Sequence, residues 1–265
     1  MGYKAVICDL DGTLLNSEHT ISDFTREVIR KVKEKGIKIC IATGRHYEDA
    51  KFFKNMLGLD SYMITSNGAV VHDEKGNVII NHCIPKEIAN EIIDIDMDKD
   101  IHKNIYLKNS WCAEVVLPEA QEFHRESGFM HVIKPFEQLK DEEINKFFYI
   151  NEDENKIRDL EEYFVSNFKG KLNVTLSLPT CLEIMDRGVS KASAIKEVLE
   201  KLDIKIDEAM AFGDGLNDYE MLKVVGKGLI MGNCNYRLRE ALPDNEVIDT
   251  NDENGVANFL TKIFL

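Results

Sequence analysis

The chain has 265 residues, of which 44% are hydrophobic and 30% charged, a composition typical of a soluble globular protein with one large or two moderate domains. Its formal net charge of −14 at pH 7 argues against nucleic acid as a partner, because phosphate backbones require a basic surface. The six cysteines are scattered without a CxxC pair, and no apolar run is long enough for a signal peptide or a membrane span. We therefore predict a reduced, cytoplasmic protein that binds neither nucleic acid nor a membrane.

The first 82 residues alternate between strand and helix patterns. Continuous apolar runs predict buried strands at 3–8, 37–43 and 61–65, and apolar spacing predicts amphipathic helices between them at 22–36 and 47–58. Short connections between these elements predict a parallel sheet with right-handed crossovers. The residues after 69 predict a hairpin that turns at 73–77.

A separate block from Pro85 to about Pro179 interrupts this alternation. Its periodicity predicts helices at 86–98, 118–127 and 152–168, and strands at 105–108, 112–117, 146–150 and 172–178. The first pattern returns at 182–186 and continues with helices at 190–202, 217–224 and about 253–264, and strands at 209–213 and 228–232. We predict an α/β fold: a doubly wound parallel-sheet core formed by residues 1–82 and 185–265, with an inserted α/β cap domain at 83–184, called the insert below.

Polar residues follow the ends of four predicted core strands, which is the edge where open α/β sheets bind ligands. These residues, with one lysine in the first turn of a neighbouring helix, are Asp9, Asp11, Thr43, Gly44, Arg45, Asn67, Asp214, Asn217, Asp218 and Lys191. Carboxylate oxygens suit Mg²⁺, and a shared cation would offset the repulsion between Asp9 and Asp214.

These residue types also suit phosphoryl transfer. One carboxylate can attack phosphorus to form an aspartyl phosphate, and a second carboxyl two residues on can protonate the leaving oxygen and then activate water. Thr43, Lys191 and the backbone N–H groups of Leu10, Asp11 and Gly44 would hold the phosphoryl oxygens. Each feature alone also fits an ordinary turn, helix cap or solvated lysine, but their coincidence at four strand ends and one helix start favours the joint interpretation.

Four segments, in this order, resemble the four motifs of the haloacid dehalogenase superfamily: DLDGTLL (9–15), ATGR (42–45), SKASAI (190–195) and GDGLNDYEML (213–222). Three further features add to this resemblance: SNGA (66–69), NDENGVANFL (251–260) and the position of the insert. With them, the chain resembles the Cof-type phosphatases of this superfamily over essentially its whole length.

The resemblance implies a role for each motif residue. Asp9 would be the nucleophile and Asp11 the general acid and base. The implied Mg²⁺ ligands are Asp9, the backbone carbonyl of Asp11 and Asp214, with Asp218 as a further ligand or a neighbour of the ligands. The implied phosphate contacts are Thr43, Gly44, Lys191 and Asn217, in addition to the backbone of Leu10. Arg45 and Asn67 face the same edge, and both a substrate contact and a structural role remain open for them.

We predict a Mg²⁺-dependent phosphatase that acts on a small phosphorylated metabolite, with a sugar phosphate as the leading class and the insert as a cap over the site. One alternative is a sugar phosphomutase, which passes the phosphoryl group to another hydroxyl. The other is a signalling or binding protein that holds phospho-aspartate without turnover. Asp11 argues against the latter, since a carboxylate that activates water would discharge the acyl phosphate.

Overall fold

The protein is built around two β-sheets. The computed structural model describes residues 2–118 and 123–265. Its strands are β1 Ala5–Cys8, β2 Lys38–Ala42, β3 Met63–Thr65, β4 Val70–His72, β5 Val78–Asn81, β6 His102–Leu107, β7 Ser110–Ala113, β8 Val132–Ile133, β9 Ile144–Ile150, β10 Leu172–Leu178, β11 Cys181–Asp186, β12 Ala209–Gly213, β13 Lys227–Ile230 and β14 Glu246–Val247. Its described α-helices are α1 Asp23–Glu34, α2 Tyr47–Met56, α3 Lys86–Ile93, α4 Glu154–Asn167, α5 Lys191–Lys201, α6 Tyr219–Val224, α7 Tyr236–Ala241 and α8 Gly255–Phe264.

The core sheet has the strand order β14-β13-β12-β1-β2-β3-β4-β5 and is parallel from β14 to β3. Strand side chains alternate between its two faces, so Val6 and Cys8 pack with α1, α2 and α8, whereas Ala5 and Ile7 pack with α5, α6 and α7. Because both faces are buried, the central strands are apolar throughout, which explains their continuous hydrophobic sequence.

The insert has a six-stranded sheet with the order β10-β11-β9-β6-β7-β8, antiparallel except for the β7–β8 pair. Helices α3 and α4 bury one face of this sheet against Ile105, Phe147 and Ile184. The alternate residues of β6, β9 and β11 are on the opposite face. That face is turned towards the core, because Lys146 of β9 donates a hydrogen bond to the carbonyl of Gly44.

The predicted α/β class, with a doubly wound core and an inserted α/β unit, is confirmed, and several element bounds differ from the prediction. Helix α3 ends at Ile93 rather than at 98. The predicted helix was too long because Ile95 and Met97, which lie in the loop after the helix, continue its apolar spacing. The run at 182–186, where the first pattern was predicted to return, is strand β11 of the insert sheet, in which it pairs antiparallel with β10 and β9.

One predicted helix lies partly outside the described residues, and some elements of the structure were not predicted. Part of the predicted helix at 118–127 lies outside the described residues, at 119–122. The strands β8 and β14 and the helix α7 were not predicted. None of the described helices is long and apolar enough to cross a membrane.

Candidate active site

The central strand β1 delivers Asp9 to the carboxyl edge of the core sheet. The backbone N–H of Asp9 donates to the carbonyl of Phe212 in β12, at 3.1 Å, so the two neighbouring strands end side by side. Beyond Asp9 the chain bends at Gly12, where φ is +69°. The bend returns Thr13 to the same edge, where its hydroxyl donates to Asp214 Oδ1 at 2.7 Å.

Three carboxylates converge at this edge. One oxygen each of Asp9, Asp214 and Asp218 lies within 4.8 Å of the others. The fully buried ammonium of Lys191, at the first position of α5, lies 2.8 Å from Asp9 Oδ1 and 2.6 Å from Asp218 Oδ1. One lysine thus faces three acids, and the cluster has an excess of negative charge.

Burial and the excess charge both shift the pKa values of these carboxyl groups. Burial, reinforced by the charges of Asp218 and Asp214, raises the pKa of Asp9 well above its usual value in spite of Lys191. Burial and the charge of Asp218 raise the pKa of Asp214 to about 8. A second cation would relieve both effects. Clustered carboxylate oxygens are donors that suit Mg²⁺, so the residues present fit such an ion.

Backbone geometry holds the cluster in place. Asp218 Oδ2 accepts hydrogen bonds from the N–H groups of Asp214 and Gly215, at 2.9 and 3.0 Å, which ties the loop after β12 to the start of α6. A Cβ on Gly12 would lie 2.2 Å from Asp214 Oδ2, and one on Gly213 would lie 2.5 Å from the carboxyl carbon of Asp218. The two glycines therefore allow the backbone to approach the carboxylates.

The side chain of Asp11 points away from this cluster and pairs with Arg45. Arg45 donates from Nε and Nη2 to the two oxygens of Asp11, at 2.8 and 2.6 Å, and from Nη1 to the buried Asp49, at 2.8 Å. Burial alone would raise the pKa of Asp11, but the bidentate Arg45 contact holds it below its usual value. The guanidinium of Arg45 thus contacts two carboxylates, and both carboxylate oxygens of Asp11 are bound by Arg45.

The strand-end residues of β2 and β3 lie next to each other. The carbonyl of Thr43 accepts from the N–H of Asn67 at 3.0 Å, and Thr43 Oγ1 accepts from the N–H of Arg45 at 3.1 Å. Asn67, with φ of +55°, receives the side-chain amide of Asn217 on its Oδ1 at 3.1 Å. The structure therefore brings Thr43, Gly44, Asn67 and Asn217 to one edge. Leu10 buries its side chain in the core, which leaves only its backbone to face that edge.

Lys146 and Glu183 of the insert reach the same edge and were not predicted. Lys146 of β9 and Glu183 of β11 form a buried ion pair, and Glu183 also accepts from the Asn67 amide at 2.5 Å. Asp49 and Thr13 were missed as well. A charged residue at an alternating position of an apolar strand, as in INKFFYI (144–150), was the available signal for Lys146.

With this geometry in place, comparison with known proteins identifies the class. A family model described as haloacid dehalogenase-like hydrolase matches residues 6–260. The chain belongs to this family, and the predicted superfamily is confirmed.

Relatives and solved structures agree with this assignment. A protein of Haemophilus influenzae named "Putative phosphatase" is 36% identical over 264 residues, covering 99% of this chain and 97% of its own. An "HMP-PP phosphatase" of Serratia proteamaculans is 32% identical over 259 residues, covering 97% and 94%. A solved haloacid dehalogenase-like hydrolase from B. subtilis superimposes with a TM-score of 0.86 at 26% identity, over 99% of this chain and all of its own. The prediction of an enzyme of the phosphoric monoester hydrolase class is confirmed.

Proposed function

We propose that the protein is a Mg²⁺-dependent phosphatase that hydrolyses a small phosphorylated metabolite, with a sugar phosphate as the leading class, through an aspartyl phosphate on Asp9. The observation that carries this proposal is the convergence of Asp9, Asp214 and Asp218 around Lys191 at the carboxyl edge of the sheet. Such an edge is where phosphate groups bind in this class of fold.

Asp9 and Asp11 act in two successive displacements at phosphorus. An oxygen of Asp9 forms a bond to phosphorus as the bond to the leaving oxygen breaks, and Asp11 supplies the proton that the leaving oxygen takes up. Water then attacks the phosphorus of the acyl phosphate, Asp11 takes the proton of that water, and the bond to Asp9 breaks. The contact with Arg45 favours the ionised form of Asp11, which is the form that the second displacement requires. The first displacement requires the protonated form, so Asp11 must leave Arg45 and take up a proton before the leaving oxygen departs.

The remaining groups of the edge bind and orient. Lys191 fixes the rotamer of Asp9 and supplies positive charge to the phosphoryl oxygens, together with Thr43, Asn217 and the N–H groups of Leu10 and Gly44. A bound Mg²⁺ would neutralise the carboxylates and withdraw charge from the phosphoryl group. The insert lies over the edge through Lys146 and Glu183, which supports its role as a cap that excludes water from the reacting groups.

The substrate range follows from the site and the relatives. The cluster and the strand-end donors suit a single phosphoryl group, and nothing in them calls for nucleic acid or a membrane. The name of the Serratia relative adds HMP-PP to the sugar phosphates as a candidate. A cytoplasmic location is part of the proposal and rests on the scattered cysteines of the sequence, all six of which are free thiols.

The test is phosphate release from a panel of sugar phosphates, nucleotide phosphates and HMP-PP, with and without Mg²⁺, using Asp9→Asn as the control variant. We expect turnover that requires Mg²⁺ and is abolished in Asp9→Asn. Isomerised sugar phosphate without free phosphate would indicate a phosphomutase instead. Stable phosphorylation of Asp9 by a small donor, without turnover, would indicate a signalling protein.

A further inference from the structure

An exposed asparagine joins three loops at the carboxyl edge of the core sheet. Asn233, in the segment after β13, donates from its side-chain amide to the carbonyl of Gly12 at 2.8 Å. Its side-chain oxygen accepts from the backbone N–H of Asn251 at 3.0 Å. Because that N–H can pair only with an acceptor, it fixes the orientation of the Asn233 amide and turns the NH₂ group towards Gly12. Asn233 is thus held as a donor to the loop that follows β1.

Asn251 makes a second contact of the same kind. Its side-chain amide donates to the carbonyl of Leu15 at 2.9 Å, so the NDENG segment (251–255) holds the far end of the same loop. The segment after β13 also reaches the other loop of the site, since the N–H of Asn235 donates to the carbonyl of Asp214 at 2.9 Å. The loops after β1 and β12 are therefore held by the same two neighbouring segments.

The loop after β1 needs such a restraint at Gly12. Asp11 has φ of −71° and ψ of 129°, and Gly12 has φ of +69° and ψ of 0°, which are the angles of the central residues of a type II turn. Glycine has the widest range of backbone conformations, so this turn has the least intrinsic restraint in the loop. It lies between two groups of the site: the carbonyl of Asp11, an implied Mg²⁺ ligand, and the hydroxyl of Thr13, which donates to Asp214 at 2.7 Å. A hydrogen bond on the carbonyl of Gly12 restrains both neighbours at once.

The stability of the fold does not explain this contact. The side chains of Leu10, Leu14 and Leu15 are buried in the core and anchor the loop. Asn233 is exposed, and substitutions of exposed side chains usually change stability little. A hydrogen bond from such a side chain to one backbone carbonyl has its largest effect on the position of that carbonyl. The contact therefore acts on the geometry of the site rather than on the fold.

We propose that Asn233, supported by Asn251, is a positioning residue of the Mg²⁺ site: it holds the Gly12 carbonyl and thereby keeps the carbonyl of Asp11 and the hydroxyl of Thr13 in place for the ion. This inference rests on the proposed Mg²⁺-dependent function. Asn233 acts through the backbone of the loop, because its hydrogen bonds go to backbone groups of Gly12 and Asn251. Groups that orient metal ligands in this way typically contribute about 10–100-fold to metal affinity.

The experiment measures Mg²⁺ binding directly, by isothermal titration calorimetry of the protein without substrate. Asn233→Ala removes the donor to Gly12 and should raise the dissociation constant of Mg²⁺ about tenfold or more. Its urea unfolding midpoint, measured in EDTA, should stay at the wild-type value. Asn251→Ala keeps the backbone N–H that orients Asn233 and removes only the contact with Leu15, so it should weaken Mg²⁺ binding less than Asn233→Ala does.

Asn258→Ala is the matched control. Asn258 is also exposed, and its side-chain amide donates to the carbonyl of Glu253 and to the carboxylate of Asp249, both at 2.9 Å and neither in the loop after β1. This variant loses the same type of contact and should bind Mg²⁺ with wild-type affinity.

Phosphate release in a Mg²⁺ titration gives a second measurement. Asn233→Ala should need about tenfold more Mg²⁺ than wild type for half-maximal release and should recover most of the wild-type kcat at saturating Mg²⁺. A loss of kcat at every Mg²⁺ concentration, with the half-maximal concentration unchanged, would argue against a role in positioning the metal site.

The outcomes separate this inference from the function on which it rests. If wild type binds Mg²⁺ and releases phosphate, an unchanged dissociation constant in Asn233→Ala overturns the positioning role alone. Equal weakening in Asn233→Ala and Asn258→Ala also overturns it, because the effect would then belong to the whole region. Wild type that binds Mg²⁺ but releases no phosphate overturns the phosphatase function, and calorimetry still decides the positioning role. Wild type that binds no Mg²⁺ overturns both.

Discussion

Replacing Gly12 by alanine should disable the active site by a collision with Asp214. Gly12 has φ of +69°, and a Cβ there would lie 2.2 Å from Asp214 Oδ2. The carboxylate would have to move by roughly 1 Å to reach ordinary contact, a displacement that costs about 10²-fold in rate at a catalytic site. The left-handed backbone costs alanine about 1–2 kcal/mol, and the overpacking adds about 1–3 kcal/mol.

Gly36→Ala is the matched control. Gly36, just after α1, has φ of +84°, and nothing lies within 4 Å of its Cβ position. It should lose about 1–2 kcal/mol of unfolding free energy from the backbone alone, with normal phosphate release. Urea unfolding and Mg²⁺-dependent phosphate release, measured on both variants, separate strain from collision. Equal activity in the two variants would refute the argument that Gly12 makes room for Asp214.

Two further predictions concern single side chains. Thr13→Val removes the hydroxyl that orients Asp214. Loss of such a supporting contact typically weakens metal binding at least tenfold, so the Mg²⁺ concentration for half-maximal phosphate release should rise by about that factor. An unchanged Mg²⁺ titration would contradict this. The ring of His72 stacks on Tyr47, and burial lowers the pKa of His72 from 6.5 to about 4. Between these two pH values the unfolded chain binds more protons at His72 than the folded chain does. His72 should therefore contribute a fall of about 2 kcal/mol in unfolding free energy from pH 7 to 5, measured in urea titrations as the difference between wild type and His72→Phe. The same pH dependence in both proteins would argue against it.

The strand ends of the core were predictable from the sequence because local pattern and topology coincide there. Each buried parallel strand is a continuous apolar run, and the first polar residues after it must lie at the same edge of the sheet. Asp9, Thr43, Asn67 and Asp214 could therefore be placed together without knowing any long-range contact.

The contacts of the insert could not be predicted in this way. Alternation along β9 indicates that Lys146 faces away from Phe147, but local spacing does not determine what that face meets. The contact with Gly44 depends on how two separately folded sheets dock. The pair of Arg45 with Asp11 could not be predicted either, because Asp11 is distant in sequence and the contact forms only within the folded core. Asp49 is only four residues from Arg45, so that pair was within reach of local spacing. Strands of two residues, such as β8 and β14, are too short to produce a periodic signal.

The strand order of the core has a consequence for how the chain is made. β1 is the central strand, and its neighbours are β2 and β12. About 200 residues, including the whole insert, separate β1 from β12. At ribosomal rates of about 5–20 residues per second, β1 has an open hydrogen-bonding edge for roughly 10–40 seconds before its second neighbour emerges. The loop that carries Asp9 is thus the first part of the candidate site to be synthesised and among the last to be enclosed.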